Sequence, residues 1–329
     1  MKGSTLPREF IWRRLHSLMG LWLVLFLVEH LLVNSQAALL LGNNAQGFVE
    51  MVNSIHNLPY LPIIELFLLG VPILIHLVWG VQYLLTGKFN SFPTNGSKPA
   101  LGGYERNHAY TWQRITSWIL IFGIIGHVAK FRFLEYPETL NQGEKSYYFV
   151  KLSVDNGLYT VAERLGAKLF DRSAVQEEKK FFDARIQEQA LVEAAHSFSE
   201  DENYDAQKEM ILVSAQRFQQ KAEWLAALQR FQITSKEVVA VADNFATASL
   251  LVVRDTFKNP VYVFLYTLFV LAACFHGFNG FWTFLITWGV ILRIPAQKGM
   301  VKFAWGLMLV IAFLGLASVW GTYWLNLRQ

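Results

Sequence analysis

Five long apolar stretches dominate the chain, at residues 16–40, 62–86, 112–133, 260–291 and 303–326. A helix needs about 20 mainly apolar residues to cross the hydrocarbon core of a bilayer, and each stretch is bounded by charge or by Pro and Gly. Aromatic residues near several ends, such as Trp12 and Trp112, suit membrane interfaces. The first stretch is too long for a cleaved signal peptide, so we expect it to be retained. The sequence therefore predicts an all-α integral membrane protein with five transmembrane helices.

Charge is distributed very unevenly along the chain. Residues 135–258 hold 20 of the 25 acidic and 15 of the 29 basic residues. Elsewhere, Lys and Arg in the short segments number 11 on the side of the N-terminus and 3 on the opposite side. Basic residues in such places are topology signals rather than a nucleic-acid-binding face. The count predicts a cytoplasmic N-terminus, with the C-terminus and residues 135–258 on the outer side of the membrane.

The charges also predict three regions along the chain: spans one to three in 1–134, a polar insertion in 135–258, and spans four and five in 259–329. Within the insertion, VAERLGAKLF and QKEMILVSAQRFQQKAEWLAALQRF carry apolar residues at helical spacing. Proline is absent from 138 to 259, which favours long helices. We therefore expect a mostly helical extracytoplasmic insertion, to which the sequence assigns no role.

One histidine lies in each of the first four spans: His30, His76, His127 and His276. Ionisable residues inside a bilayer are costly and usually functional. A single histidine often only bonds to a neighbouring helix, but four on consecutive spans suit two six-coordinate haems in a four-helix bundle. With both axial positions filled, such haems can only transfer electrons. The single cysteine, Cys274, excludes a cysteine-ligated zinc or iron–sulfur centre.

Depth in the membrane suggests how the four histidines pair. His30 and His127 lie near the outer ends of their spans, whereas His76 and His276 lie deeper, towards the cytoplasmic half. At about 1.5 Å rise per residue, a shift of a few residues separates two layers by roughly one haem's width. We expect His30 and His127 to share an outer haem, and His76 and His276 to share an inner haem.

Residues near these histidines fit the same interpretation. Gly80 and Gly280 each follow a histidine by four residues, on the same helix face, and could leave room for a flat macrocycle. Close helix packing explains such glycines equally well. The segments RRLHS and QRITS at the starts of spans one and three suggest an internal repeat. They place Arg14 and Arg114 where they could neutralise haem propionates, although arginines there also set topology.

These segments carry a resemblance to a known family. With RRLHSLMGLWLVLFLVEHLLVN, LPYLPIIELFLLGVPILIHLVWG, WQRITSWILIFGIIGH and FHGFNGFWTFLITWG, the chain resembles the dihaem cytochrome b membrane anchor of succinate dehydrogenase and fumarate reductase, in its single-chain, five-helix branch. The resemblance covers about 205 of the 329 residues. It implies two haem b groups, one held by His76 and His276 on the cytoplasmic side and the other by His30 and His127.

The resemblance also implies a function, in a bacterial-type inner membrane. The family's anchor binds an iron–sulfur subunit and, through it, the flavoprotein that interconverts succinate and fumarate in the tricarboxylic acid cycle. The anchor passes electrons between that subunit and membrane quinone, often menaquinone, and has no dicarboxylate site of its own. Two features depart from the pattern: the long insertion, and Cys274 where some fumarate reductase anchors have a glutamate.

Quinone chemistry needs protons as well as electrons. Glu65, near the outer end of span two, looks like the acidic residue that relatives have there, and Glu29 directly precedes His30. Glu65 is the preferred proton donor and acceptor, although it could simply face water, and Glu29 could simply bond to a neighbouring helix. A second candidate quinone or propionate site is the cytoplasmic end, which holds His16, Ser17, Arg14 and Arg114.

Two other interpretations stay open at this point. The chain could be a dihaem cytochrome b of another quinone-linked dehydrogenase, of the hydrogenase or formate dehydrogenase type. It could also be a transporter without haem, whose histidines line a polar path; Gly70-Val71-Pro72 in span two is the only sign of the broken helices that transporters use. His56, His108 and His196 receive no role. The loop 88–111 could contact a partner subunit or be a plain surface loop.

Overall fold

The computed structural model describes residues 6–39, 44–87, 91, 102–196 and 204–327. Lys2, Lys88, Lys98 and Arg328, which entered the charge count, lie outside the described residues, as do most of the loop 88–111 and the side chain of His196. The chain divides into two compact units. The first comprises Met1–Arg132 and Thr256–Arg328, and the second comprises Phe133–Asp255.

The described residues form twelve α-helices and four β-strands. The helices are α1 (Arg8–Leu39), α2 (Gln46–His56), α3 (Leu61–Glu65), α4 (Val71–Thr86), α5 (Glu105–Val128), α6 (Leu158–Arg164), α7 (Arg172–His196), α8 (Tyr204–Arg230), α9 (Phe245–Phe257), α10 (Pro260–Thr287), α11 (Ile294–Leu316) and α12 (Thr322–Leu327). The strands are β1 (Glu138–Gln142), β2 (Lys145–Ser153), β3 (Lys168–Phe170) and β4 (Glu237–Ala242). The described residues also form three π-helical segments: Leu66–Gly70 joins α3 to α4, Ala317–Gly321 joins α11 to α12, and Ala129–Leu134 extends α5.

Five continuous helical segments of the first unit are long and apolar enough to cross a membrane: Arg8–Leu39, Leu61–Thr86, Glu105–Leu134, Pro260–Thr287 and Ile294–Asn326. Large apolar side chains such as Leu74, Phe122 and Val310 are exposed on their surfaces. Water would penalise so much exposed apolar area, whereas lipid accepts it. The prediction of a multi-pass membrane protein with five spans is confirmed.

The helices α1 and α10 are central to the first unit. Helix α1 packs against α4, α10 and α11, and α10 also packs against α5. Glycines allow some of these close approaches: a Cβ atom added at Gly315 would lie 2.7 Å from Val270, and one at Gly321 would lie 2.6 Å from Ala38. Small residues at crossings are typical of helices that associate in membranes, where van der Waals packing drives association.

Span two continues without a break through the Gly70-Val71-Pro72 segment. The π-helical Leu66–Gly70 leads directly into α4, and the backbone of Gly70 is right-handed helical, with φ −58° and ψ −50°. Pro72 has no N–H to donate to the Leu68 carbonyl four residues earlier, and that carbonyl instead accepts from the Trp22 indole N–H at 2.7 Å. The described residues of span two therefore lack the unwound stretch that the transporter interpretation requires.

The second unit is mostly helical, as predicted, but it also contains a β-sheet, which corrects the all-α fold class. It contains a four-stranded sheet in the order β1-β2-β4-β3, with antiparallel neighbours. The parallel strands β2 and β3 are joined through α6 and separated by β4, which is a split β-α-β arrangement. The segment VAERLGAKLF starts in α6, but Gly166 turns the chain with φ +71° and the last residues form β3.

Burial on both faces of the sheet explains why the strands were missed. On one face Phe149, Val239 and Val241 pack with Leu228 and Trp224 of α8. Side chains alternate along a strand, so Val150, Leu152, Val238 and Ala240 point to the opposite face, where they are buried as well. A strand covered on both sides is a continuous apolar run such as EVVAVA, and periodicity alone does not separate such a run from a buried helix.

The start of α7 yields a prediction about acid stability. The carboxylate of Asp171, just before the helix, accepts hydrogen bonds from the Ser173 hydroxyl at 2.7 Å and from the Ala174 N–H at 2.7 Å. The Ser173 hydroxyl, followed by the Ala174 N–H, lowers the pKa of Asp171 below its ordinary value of 3.8. The unfolded chain therefore binds a proton before the folded chain does, and the stabilisation is lost as the pH falls below about 4.

Asp171→Asn tests this contribution, because asparagine also caps helices well but does not titrate. We expect the thermal midpoint of the second unit to be nearly the same in both proteins at pH 6. As the pH falls from 5 to 3, the wild-type midpoint should drop further than that of the variant, measured by circular dichroism of the full chain in detergent. A constant difference over that range would contradict the prediction.

Candidate functional site

The outer histidines lie side by side on facing helices. His30 of α1 and His127 of α5 have ring centroids 5.8 Å apart and ring planes at 87°. Nδ1 of His127 is 3.2 Å from the Tyr266 hydroxyl. The Asn34 side chain donates to the backbone carbonyl of His30 at 2.8 Å and approaches the His30 ring at 3.4 Å. The site thus contains two imidazoles with polar neighbours from α1 and α10.

The inner histidines form a second pair of similar geometry. His76 of α4 and His276 of α10 have ring centroids 6.1 Å apart and ring planes at 79°. Nδ1 of His276 is 3.3 Å from the Ser117 hydroxyl, which itself donates to the Gln113 carbonyl at 2.7 Å. Because the Ser117 hydroxyl donates its hydrogen to the Gln113 carbonyl, its oxygen accepts the hydrogen bond from Nδ1 of His276. The structure therefore brings His76 next to His276 and His30 next to His127.

A second layer of side chains holds the His276 backbone. The Gln113 side chain donates to the His276 carbonyl at 3.1 Å and accepts from the Asn279 side chain at 2.7 Å. Gln113 and Ser117 belong to the segment QRITS of span three, while His16 in RRLHS of span one contacts His76. Both of the similar segments thus lie beside the inner pair, each next to the histidine of the following span.

The geometry suits a metal held between each pair of rings. A metal bound to one nitrogen of each imidazole at about 2 Å puts the ring centroids roughly 6 Å apart. Nδ1 of each ring has a polar neighbour. For His76 and His276 that neighbour is an oxygen that accepts, so Nδ1 carries the proton and Nε2 keeps its lone pair. The inner pair can therefore present Nε2 to a metal.

The number of ligands points to the kind of metal centre. Among the described residues, no group of three or more His, Cys, Asp or Glu side chains could hold a bare metal ion. A protein site for a free metal usually supplies three or four ligands. Two facing imidazoles suffice where a porphyrin supplies the four remaining ligands of the iron. The residues present therefore fit two bis-histidine haems.

The glycines that were expected to make room for a macrocycle instead border side chains of neighbouring helices. A Cβ atom added at Gly80 would lie 3.6 Å from Cε1 of His16, and one added at Gly280 would lie 3.9 Å from Nε2 of Gln113. Each glycine follows its histidine by four residues and therefore lies on the same helix face. Which neighbour occupies that face depends on how closely α1 and α5 approach, which the spacing does not encode.

The candidate propionate or quinone contacts, at the end of the helices that we expect to be cytoplasmic, lie among aromatic rings. The Arg14 guanidinium is 4.3 Å from the ring centroid of Phe10 and 5.7 Å from that of Trp288. The buried Arg114 guanidinium is 4.0 Å from the ring centroid of Tyr110. Such cation–π contacts keep guanidinium groups at an interface. Ser17 is half-buried on α1, and any propionate contact of these residues stays a prediction.

The two candidate carboxylates have different surroundings. Glu65 pairs with Arg132 at 3.0 Å, with side chains 37% and 42% exposed. His56 lies in the same electrostatic neighbourhood: burial lowers the pKa of His56, the Glu65 carboxylate opposes that change and Arg132 adds to it. Glu29 instead has an exposed side chain on α1. The outer end thus collects an acid, a guanidinium and an imidazole, and Glu29 points away from the packed helices.

Comparison with known proteins supports one assignment. The chain is 34% identical, over 122 residues, to the succinate dehydrogenase cytochrome b558 subunit of Bacillus subtilis (strain 168). The match covers 37% of this chain and 54% of that protein, so the chain spans about half the length of the curated relative that it matches. No protein-family model matches the chain. No solved structure matches it either.

This likeness supports the resemblance to succinate dehydrogenase cytochrome b subunits. The structure adds site residues that sequence reasoning missed, namely Gln113, Asn279, Tyr266, Asn34 and Gly20. Gln113 was detectable in principle, since it precedes Ser117 by four residues in the repeated segment. His108, which received no role, bonds through Nε2 to the Gly102 carbonyl at 2.7 Å.

Proposed function

We propose that this chain is the membrane-anchor cytochrome b subunit of a succinate dehydrogenase or fumarate reductase. The observation that carries the proposal is the presence of two imidazole pairs on facing membrane helices, His30 with His127 and His76 with His276. The partial likeness to a succinate dehydrogenase cytochrome b558 subunit supports the same conclusion. When bound, the two b haems would pass single electrons between an iron–sulfur subunit and membrane quinone, with menaquinone the expected species.

The residues of this chain would hold and orient the two haems. The four histidines would supply two nitrogens to each haem iron, and such a haem would transfer electrons rather than bind oxygen or another substrate. The Ser117 hydroxyl and the carbonyl of His16 accept from Nδ1 of the inner ligands, which fixes the ring orientation and increases the basicity of Nε2. Arg14 and Arg114 stay the candidates for neutralising propionates at the cytoplasmic end.

The proposed topology places electron entry and quinone chemistry at specific ends of the helices. The excess of basic residues favours a cytoplasmic N-terminus, and the resemblance implies a bacterial-type membrane, so the iron–sulfur subunit and its flavoprotein would bind on that side. Residues 135–258 and the C-terminus would lie on the outer side. Quinone would react near the Glu65–Arg132 pair, since Glu65 can donate or accept a proton at that end.

The central test is the visible spectrum of the purified full-length chain. A reduced-minus-oxidised spectrum with two low-spin haems per polypeptide is expected, together with copurification of an iron–sulfur subunit and a flavoprotein and succinate-to-quinone activity. Absence of haem would refute the proposal and favour the transporter interpretation. Two haems with a hydrogenase or formate dehydrogenase as the copurifying partner would assign the chain to another dehydrogenase.

Glu65→Gln is expected to abolish quinone-linked turnover while both haem spectra survive. The substitution keeps the size of the side chain but removes its ability to exchange a proton at the outer end. Arg132→Gln is the matched control, because it breaks the same 3.0 Å ion pair and retains the acid; turnover should fall less in that variant. Unchanged turnover in Glu65→Gln would remove Glu65 from the mechanism, and equal losses would assign the effect to the ion pair.

A further inference from the structure

A third imidazole packs directly against one of the inner histidines. His16 of α1 stacks on His76 of α4, with ring centroids 4.0 Å apart and planes at 11°. Nδ1 of His16 is 3.1 Å from the carbonyl oxygen of His76, and Nδ1 of His76 is 3.1 Å from the carbonyl oxygen of His16. The contact is reciprocal, since each ring donates to the backbone of the residue that carries the other ring.

Glycine four residues after each histidine makes this arrangement possible. Gly20 follows His16 in HSLMG, and Gly80 follows His76 in HLVWG. In an α-helix the carbonyl of residue i already accepts the N–H of residue i+4, which here belongs to a glycine. Because glycine has no Cβ, the carbonyl stays open to a second donor from the neighbouring helix. The two helices thus carry the same His-x-x-x-Gly pattern and interlock through it.

The two rings do not fit equally tightly against the glycine of the opposite helix. A Cβ atom added at Gly20 would lie 2.9 Å from Cε1 of His76 and 3.2 Å from its Nδ1. A Cβ atom added at Gly80 would lie 3.6 Å from Cε1 of His16, an ordinary van der Waals distance. The ring of His76 therefore fits tightly against α1, whereas the ring of His16 has space. The position of the His76 ring is the more strictly determined of the two.

The internal repeat does not reproduce this contact on the other side of the inner pair. The position equivalent to His16 in QRITS is Thr116, whose hydroxyl bonds within its own helix to the carbonyls of Trp112 at 2.8 Å and Gln113 at 3.1 Å. His276 relies on the Ser117 hydroxyl instead. The inner pair is thus asymmetric, with a carbonyl acceptor and a stacked ring at His76 only.

We propose that His16 and Gly20 are positioning residues that set the orientation and the Nδ1–H tautomer of His76, and so determine the properties of one haem and not the other. The inference rests on the proposed function only for the identity of the group that His76 binds. A carbonyl can only accept, so the contact with His16 keeps the proton on Nδ1 and directs the Nε2 lone pair away from α1. His16 would affect the iron only through the position of His76, without binding the iron itself.

The test compares three glycine-to-alanine variants of the full-length protein. Gly20→Ala should displace the His76 ring, so that one of the two haems loses occupancy or changes its midpoint potential and its low-spin electron paramagnetic resonance signal. Gly80→Ala should produce a smaller change in the same haem. Gly306→Ala of α11, where a Cβ atom would meet nothing within 4 Å, should leave both haems unchanged.

His16→Phe complements the glycine variants, because it keeps a ring against His76 but cannot donate a hydrogen bond. It should shift the potential of the haem affected by Gly20→Ala and leave the other as in wild type. Wild-type signals for both haems in Gly20→Ala and His16→Phe would overturn the positioning role, and so would equal loss of both haems, because general damage to packing is not selective. Failure of the proposed function is distinguishable, since the wild-type chain would then contain no haem or would copurify with another dehydrogenase.

Discussion

Replacing His276 by alanine is expected to remove one of the two haems and to leave the other in place. The ratio of haem to polypeptide should fall from about two to about one, because the inner iron loses one of its two protein ligands. His76→Ala should remove the same spectral component, since the two rings lie 6.1 Å apart. The measurement is a pyridine haemochrome assay together with the reduced-minus-oxidised spectrum of the purified protein.

Variants of the outer histidine pair test the other haem. His30→Ala and His127→Ala should each remove the component that survives in the inner variants, in keeping with the 5.8 Å separation of their rings. His108→Ala is the control, because its ring is bonded to the Gly102 carbonyl outside the histidine pairs. If any of the four single variants kept both haems, the proposed ligand set would be wrong. If His30 and His276 variants lost the same component, the pairing would be wrong.

The second large effect is expected in the unit formed by Phe133–Asp255. Arg254 and Asp155 form a bidentate ion pair there, with nitrogen–oxygen distances of 2.8 and 2.6 Å. The Arg254 side chain is 9% exposed and that of Asp155 is 28% exposed. Asp155→Ala should destabilise this unit by about 3 kcal/mol, because the buried guanidinium loses its carboxylate and desolvation is no longer offset.

Hydrogen exchange of the β2 and β4 amides in the full-length protein measures this loss, since these strands form the centre of the sheet. Lys151→Ala is the matched control. It removes the 3.4 Å contact with Glu237 on the same strands, but the Lys151 side chain is 45% exposed, and such pairs contribute less than about 1 kcal/mol. Equal protection in Asp155→Ala and wild type would show that the buried pair contributes little to stability.

The sequence predicted the secondary structure of the membrane unit better than that of the second unit. In the membrane unit, the positions of the five spans followed from apolar length, because a bilayer imposes one requirement on every segment that crosses it. In the second unit, EVVAVA is buried on both sheet faces, and the adjacent Phe149 and Val150 of β2 are both buried, so neither strand alternates along its whole length as a half-exposed strand does. The strands were not predicted there for that reason.

The candidate site also combines features that the sequence predicted with features that it did not. The depths of His30, His76, His127 and His276 are local properties of each helix, and they predicted pairs of rings that the structure brings together. The sequence also shows a glycine four residues after the histidine in HLVWG, HGFNG and HSLMG. It does not show which neighbouring helix packs against the HSLMG segment. Contact between His16 and His76 requires α1 and α4 to meet at one particular height.

The number of spans, the heights of the histidines along their helices and the separation of a charged unit from an apolar one could be predicted from the sequence, because they depend on the composition of single segments. The side chains that surround each histidine, and the apolar run that became a strand, depend on tertiary packing. Hydrogen bonds between helices, close approaches at glycine and burial on both faces of a sheet depend on residues far apart in the chain, and no local pattern records them.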